Sequence, residues 1–275
     1  MDYSFIRENF DINSISKSIL SIQVSPDGFS FVICPADQQQ SPDYIYIFHI
    51  NPQTENLEDA LTSFTGFDLM EFHSIRIIFH ETTFALIPET IYDPKDMMVY
   101  HNLNHPSQPN RKVLSNEITS VGAVCVFSIE DSLYTIFKKK FPVAVFCHSS
   151  LPFCTMALNK GKDGCFIHVY EKSMELAIVK EQKLVLYNIY ALQDGNDIVY
   201  FILNAFKSYN LDPLIDSLYI AGILPDNSGI VTILRKYIQE IRFYITDYVI
   251  VQESGEFDYP SHYFLNHREI LNCEL

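Results

Sequence analysis

Residues 164–190 read GCFIHVYEKSMELAIVKEQKLVLYNIY, which is three strands in succession. Cys165–Tyr170, Met174–Lys180 and Lys183–Tyr190 are rich in β-branched, aromatic and aliphatic side chains, and short polar breaks separate them. The same order stands earlier in the chain, at Ile19–Val24, Phe29–Cys34 and Tyr44–Ile50. Each triplet is followed by a helical stretch and then by a short apolar strand. A strand–strand–strand–helix–strand order that occurs twice predicts two similar α/β halves with a cleft between them.

The turns support this reading. Ser25-Pro26-Asp27-Gly28 places Pro second and Gly fourth, good type I turn chemistry for a hairpin between the first two strands. After the first triplet, Leu57, Ala60, Leu61 and Phe64 recur at helical spacing and predict a helix over Glu55–Phe64. Strands are expected at Phe72–Phe79 and Thr83–Ile87, and a helix over Met97–Leu103 behind Asp93-Pro94. Residues 104–112 read as a loop. A strand at Ala123–Ile129, a helix at Asp131–Lys140, a strand at Val143–Cys147 and a helix around Pro152–Leu158 complete the middle section. After the second triplet, Ile198, Phe201, Ile202, Ala205 and Phe206 mark an apolar helix over Asp197–Tyr209. A strand at Leu218–Ala221, a helix at Gly229–Ile241 capped from Asp226–Ser228 and a strand at Tyr244–Val251 follow, and the tail Phe257–Phe264 is expected to pack back on the body.

Composition bounds the function. The chain has 275 residues, 48% of them hydrophobic and 19% charged, which suits a folded core. Its formal net charge of −15 repels a phosphate backbone, and the single basic run, Lys138–Lys140, complements a helix C-terminus. Nucleic acid is therefore not the expected partner. No apolar run approaches the ~20 residues that span a bilayer, and Asp2, Glu8 and Asp11 leave no room for a signal peptide's basic start. Six scattered cysteines without a C-x-x-C pair suit buried, reduced thiols. The compartment expected is the cytoplasm.

Other candidate chemistry is thin. His101 and His105 are four apart but lie at an expected helix end, and no H-E-x-x-H motif accompanies them, so loop histidines are expected. His148 stands beside Ser149 and Ser150 at a strand end, without a G-x-S-x-G elbow. Cys147 and Cys154 read as small buried hydrophobes. Tyr187, Tyr190, Tyr200, Phe201 and Phe206 read as core and core edge, or as a partner surface where exposed. No catalytic residue and no metal ligand is assigned.

The duplicated meander resembles the actin-like ATPase superfamily, which includes sugar kinases, actin and the seventy-kilodalton chaperones. More closely, LSIQVSPDGFSFVI, CFIHVYEKSMELAIV, KLVLYNIYALQDGNDIVYFILNAFKSYNLDP and SLYIAGILPDNSGIVTILRKYI are similar to a bacterial family of unknown function with this fold. The resemblance implies a mixed α/β (α+β), actin-like ATPase or ribonuclease H-like fold of two duplicated lobes. Residues 1–160 form the first, with an inserted subdomain at about 80–150, and residues 161–275 the second. It also implies ATP and magnesium, held by an Asp and a Gly in each hairpin turn and by a Gly-Gly after a strand. Matching positions are Ser25, Asp27 and Gly28 in the first turn and Ala221 and Gly222 after the later strand. The second turn, Tyr170-Glu171-Lys172-Ser173, has neither glycine nor aspartate and reads as an exposed hairpin end, and Ala221 stands where the first glycine belongs. The function expected is thus a non-catalytic protein-interaction or scaffold module whose partner is a protein or peptide. The alternative is a weak ATP-binding ATPase or phosphotransferase.

Overall fold

The computed structural model describes residues 3–6, 12–25, 28–36, 44–48, 72–106, 108–160, 162–245 and 261–273. The helix expected at Glu55–Phe64 and the turn residues Pro26 and Asp27 lie outside the described residues. The chain divides into two compact units, one of residues 1–151 with 270–275 and the other of residues 152–269.

In the first unit, β1 (Tyr3–Ile6), β2 (Ser18–Ser25), β3 (Gly28–Pro35), β4 (Tyr44–Phe48) and β5 (Ser74–Phe79) join the later β9 (Val145–His148) in one sheet, in the order β1-β4-β3-β2-β5-β9. The β2–β3–β4 meander is antiparallel, whereas β5 runs parallel to β2 from Ile19↔Ser74 to Val24↔Phe79. Leu20, Ile22, Phe31, Ile33 and Ile77 are fully buried. Burial on both faces explains why these strands lack clean alternation.

Between β5 and β9 the chain builds a separate three-stranded sheet of β6 (Phe84–Pro88), β7 (Arg111–Ile118) and β8 (Ala123–Glu130), in the order β6-β8-β7. Helix α1 (Met97–Asn104) covers one face, where Met97 and Tyr100 pack on Ala85, Ile87, Val113, Val124 and Val126. Helix α2 (Asp131–Lys140) returns the chain to β9. Strand β7 was not expected, and the loop read over 104–112 ends at Arg111. As the outer strand of its sheet, β7 buries Val113 and Ile118 but exposes Lys112, Ser115 and Glu117, so its apolar signal is thin.

One side chain of β7 closes the free edge of β9. The Asn116 amide donates to the carbonyl of Phe146 (3.0 Å), and its oxygen accepts the N–H of His148 (2.7 Å). The carboxamide thereby does what a neighbouring strand would do, and it blocks an exposed edge. His148 adds a second tie, since its Nε2 reaches the carbonyl of Glu81 (2.8 Å) just before β6.

The second unit starts within α3 (Ser150–Asn159). Strands β10 (Gly164–Val169), β11 (Ser173–Lys180), β12 (Lys183–Ala191), β13 (Ser217–Gly222) and β14 (Ile241–Phe243) form a sheet in the order β12-β11-β10-β13-β14. Helix α4 (Gly195–Ser208) follows β12, and the short α5 (Gly229–Leu234) follows β13. On one face Cys165, Ile167 and Val169 meet Ile198, Ile202 and Phe206 of α4 and Val231 and Leu234 of α5. The helix expected over Gly229–Ile241 is shorter. Ser228 caps its start (Val231 N–H to Oγ, 3.2 Å), and the Leu234 carbonyl takes the N–H groups of Tyr237 and Ile238 (both 2.9 Å). Ile238 then turns into the core and leads into β14. The strand expected at Tyr244–Val251 lies largely outside the described residues. A turn at Ser261–Phe264 and α6 (Leu265–Glu269) pack back on the unit, with Phe264 and Leu265 fully buried.

Replacing Asn116 with Ala strips two backbone groups of β9 of their partner at once. Thermal or urea unfolding is expected to show a loss of about 1–3 kcal/mol. An unchanged unfolding midpoint would mean that the edge does not need this amide.

Candidate functional site

The residues matched to the phosphate-gripping and adenosine patterns fall in both units. In the first, Ser25 and Gly28 face each other at the end of the β2–β3 hairpin. The Ser25 hydroxyl lies 3.4 Å from the Gly28 carbonyl, and Gly28 has φ +140°. Asp27, between them, lies outside the described residues.

In the second unit, Ala221 and Gly222 end β13 opposite His168 and Val169 of β10. Gly222 has φ +92°, and a Cβ there would stand 2.0 Å from the Val169 carbonyl oxygen. That same carbonyl accepts the N–H of Ile223 (2.9 Å). The close approach of β10 therefore accounts for this glycine by itself.

A groove of about 240 Å³ opens at the ends of the strands in this second unit. Val169, Tyr170 and Glu171 line it from β10 and the turn, and Leu192, Gln193 and Asp194 from the end of β12. Gly195 and Ile198 belong to α4, while Ile223, Leu224 and Ile230 come from the segment that enters α5. Aliphatic side chains dominate the lining. Among the described residues its charged lining is Glu171 and Asp194, with no Lys, Arg or His.

Helix starts and glycine turns bind phosphate through free backbone N–H groups. Around this groove six such groups are already engaged. Asp194 accepts the N–H of Asn196 (2.7 Å), and Asp197 accepts those of Gln193 (2.7 Å) and Asp194 (3.3 Å), which completes a capping box on α4. Tyr170 N–H goes to Ser173, Leu192 N–H to Lys172 and Ile223 N–H to Val169 (each 2.9 Å). Glu171 and Lys172 are exposed, as a plain hairpin end requires.

The sequence matches the family described as Protein of unknown function (DUF3822) over residues 7–241. This chain belongs to that family. Its fold matches a Bacteroides thetaiotaomicron VPI-5482 protein with actin-like ATPase fold and unknown function, with a TM-score of 0.81 at 20% identity over 96% of this chain and 99% of that one. It also matches the PilM-PilN type IV pilus biogenesis complex, with a TM-score of 0.56 at 11% identity over 92% and 98%. A further match is the cytoplasmic domain of EpsL, an inner membrane component of the type II secretion system of Vibrio cholerae, with a TM-score of 0.50 at 12% identity over 94% and 96%. The DUF3822 chain thus has the actin-like ATPase fold. No curated protein matches it.

On the sheet face away from α4, the DUF3822 chain holds a buried polar network that its sequence did not announce. Glu175 is fully buried on β11. Tyr170 and Tyr187 donate to its two oxygens (3.0 and 2.7 Å), His168 stands at 3.4 Å, and Asn266 of α6 donates to the Tyr170 hydroxyl (2.9 Å). Burial, together with the neighbouring Glu175, pushes the Tyr170 phenol well above its ordinary value. Burial, together with nearby His168, pushes His267 down to about 3. The network fastens α6 to the sheet, and its burial closes it to substrates.

The remaining candidates also resolve into structure. His148 Nδ1 accepts the Ser150 N–H (3.1 Å) with the Ser150 hydroxyl at 2.8 Å, and its ring is buried between Phe84 and Phe127. His80 Nδ1 lies 3.3 Å from the Ser149 hydroxyl, again buried. His101 and His105 are not the loop pair expected. His101 is buried within α1, and His105, half-buried, reaches the Phe84 carbonyl (2.9 Å). All six cysteines are buried, and burial pushes Cys125 and Cys147 up to about 12, which makes them poor nucleophiles. The aromatic group divides between faces. Tyr190 stacks on Phe201 at 4.3 Å, Tyr187 serves Glu175, and Tyr200 is exposed. Among the described residues no group of three or more His, Cys, Asp or Glu could hold a metal ion, and no helix is long and apolar enough to cross a membrane.

Because His267 is neutral in the folded protein, an unfolded chain takes up a proton there below about pH 6.5 that the native state refuses until about pH 3. Stability therefore falls as pH falls through that window, with this group contributing up to about 1.4 kcal/mol per pH unit. Denaturant titrations at pH 7, 6 and 5 are expected to give a shallower decline for His267→Gln than for wild type. Parallel declines would remove His267 from the account.

Proposed function

We propose that this chain is a non-catalytic protein-interaction or scaffold module that keeps the actin-like shape and no longer works through nucleotide turnover. The carrying observation is the groove at the second hairpin. Several of its backbone donors are engaged within the unit, its described charged residues are anionic, and its walls are aliphatic. A nucleotide phosphate gains nothing there and is repelled by Glu171 and Asp194. An apolar group from another protein is well matched to the same walls. Two proteins that share the fold support the reading, since PilM is found in a complex with PilN and EpsL is a component of a secretion system. In this reading residues 1–160, with an insertion at about 80–150, and residues 161–275 are two actin-like lobes. The burial of all six cysteines suits a reducing cytoplasm.

The alternative, weak ATP binding through Ser25, Asp27, Gly28, Ala221 and Gly222, has one observation in its favour. Gly28 adopts a positive φ at the hairpin end where a phosphate-gripping turn would sit. Calorimetric titration with magnesium ATP separates the two readings. No heat of binding is expected in the micromolar range. Micromolar binding by wild type that disappears in Asp27→Ala would overturn the scaffold reading.

A further inference from the structure

The groove of the second unit also has a chemistry that specifies its occupant, and this inference rests on the interaction-module reading above. At about 240 Å³ it is smaller than the roughly 300–1,000 Å³ of ordinary small-molecule pockets, a size for one or two side chains rather than a whole cofactor. Leu192, Ile198, Ile223, Leu224 and Ile230 give it aliphatic walls with almost nothing to orient a polar ligand. The charge at its lining is of one sign. Glu171 stands on the exposed hairpin end, and Asp194 stands before α4 with Asp197 behind it. Part of the Asp194 and Asp197 charge is balanced by the α4 dipole, whereas Glu171 lies on a turn with no helix behind it. The whole chain, at −15, adds a long-range field of the same sign.

We infer that this groove docks a linear segment of a partner protein in which a large apolar side chain is flanked by Lys or Arg. The apolar side chain fills the space between α4, α5 and the sheet edge. The cations lie against Glu171 and Asp194, where they steer the encounter and set its register. Acidic segments are rejected by the same carboxylates, which makes the groove selective by repulsion as well as by fit.

The test uses the full chain as bait for a phage library of random linear dodecapeptides, followed by synthesis of an enriched sequence. Enriched peptides are expected to share an aliphatic or aromatic residue with Lys or Arg within two positions. The synthetic peptide is expected to bind wild type, to weaken about tenfold with Glu171→Lys, and to weaken again as salt is raised. Ile230→Trp, which fills the groove, is expected to abolish binding while the unfolding curve shows a folded protein. Should that variant unfold, Glu171→Lys on the exposed turn carries the test alone. Acidic or uncharged consensus peptides, binding indifferent to both variants, or no enrichment at all would overturn the inference. The magnesium ATP titration fails or succeeds independently. A peptide that binds as expected but is displaced by micromolar ATP would keep the groove chemistry and overturn the scaffold reading.

Discussion

The parallel pairing of β10 with β13 is the constraint on which the second unit depends. The two main chains approach so closely that no Cβ fits at either end. A Cβ on Gly164 would stand 2.4 Å from the Ser217 carbonyl, and one on Gly222 would stand 2.0 Å from that of Val169. Glycine at both ends lets the register run without a slip from Gly164↔Ser217 to Val169↔Gly222. Once the strands are locked, the turn after Val169 and the segment after Gly222 emerge side by side, and the start of α4 closes the third wall. The groove is a consequence of this register. The first unit repeats the arrangement with β2 and β5, and there the gap before the parallel partner's neighbour is filled by the inserted sheet.

The same constraint accounts for Gly222 without a ligand. A Gly-Gly pair after a strand suggests a backbone opened for a nucleotide. Here Ala221 has replaced the first glycine at a buried position, while Gly222 is held by its own neighbouring strand. The turn Tyr170–Ser173 points the same way, because it closes on itself through Tyr170 N–H to Ser173 and carries an exposed glutamate.

Much of the fold was legible because the strands of the two meanders are dense in β-branched and aromatic residues, and α4 carries an unbroken helical stripe. What escaped was written in polar residues. Strand β7 shows only Val113 and Ile118 to the core, and its most informative residue, Asn116, looks from the sequence like any surface amide. Glu175 sits between Met174 and Leu176 in a strand read for its apolar content, and nothing local says that two tyrosines will meet it. His101 lies inside the helix expected over Met97–Leu103, but nothing local says that its ring is turned inward and buried. The groove was invisible for another reason. Its walls come from three separate segments, 169–171, 192–198 and 223–230, and spacing along one segment cannot report a space between several. Only the exposure of Glu171 and Lys172 could be read directly from the turn.

These misses share a direction. Residues with the potential for chemistry, His148 with Ser150, His80 with Ser149 and Glu175 with its tyrosines, are all buried and engaged in holding one element to another, and the cysteines are buried as well. Burying such groups is costly unless their hydrogen bonds are met, and here most partners are backbone or side chains of a different element. Asn116 and His148 fasten the inserted sheet to β9, while Glu175, Tyr170 and Asn266 fasten α6 to β10 and β11. Polar groups used in this way specify which element packs where, something an apolar contact does less sharply. The cost is that they are withdrawn from solvent and from any substrate. What the second unit leaves at the groove is an aliphatic hollow with two carboxylates among its described lining residues.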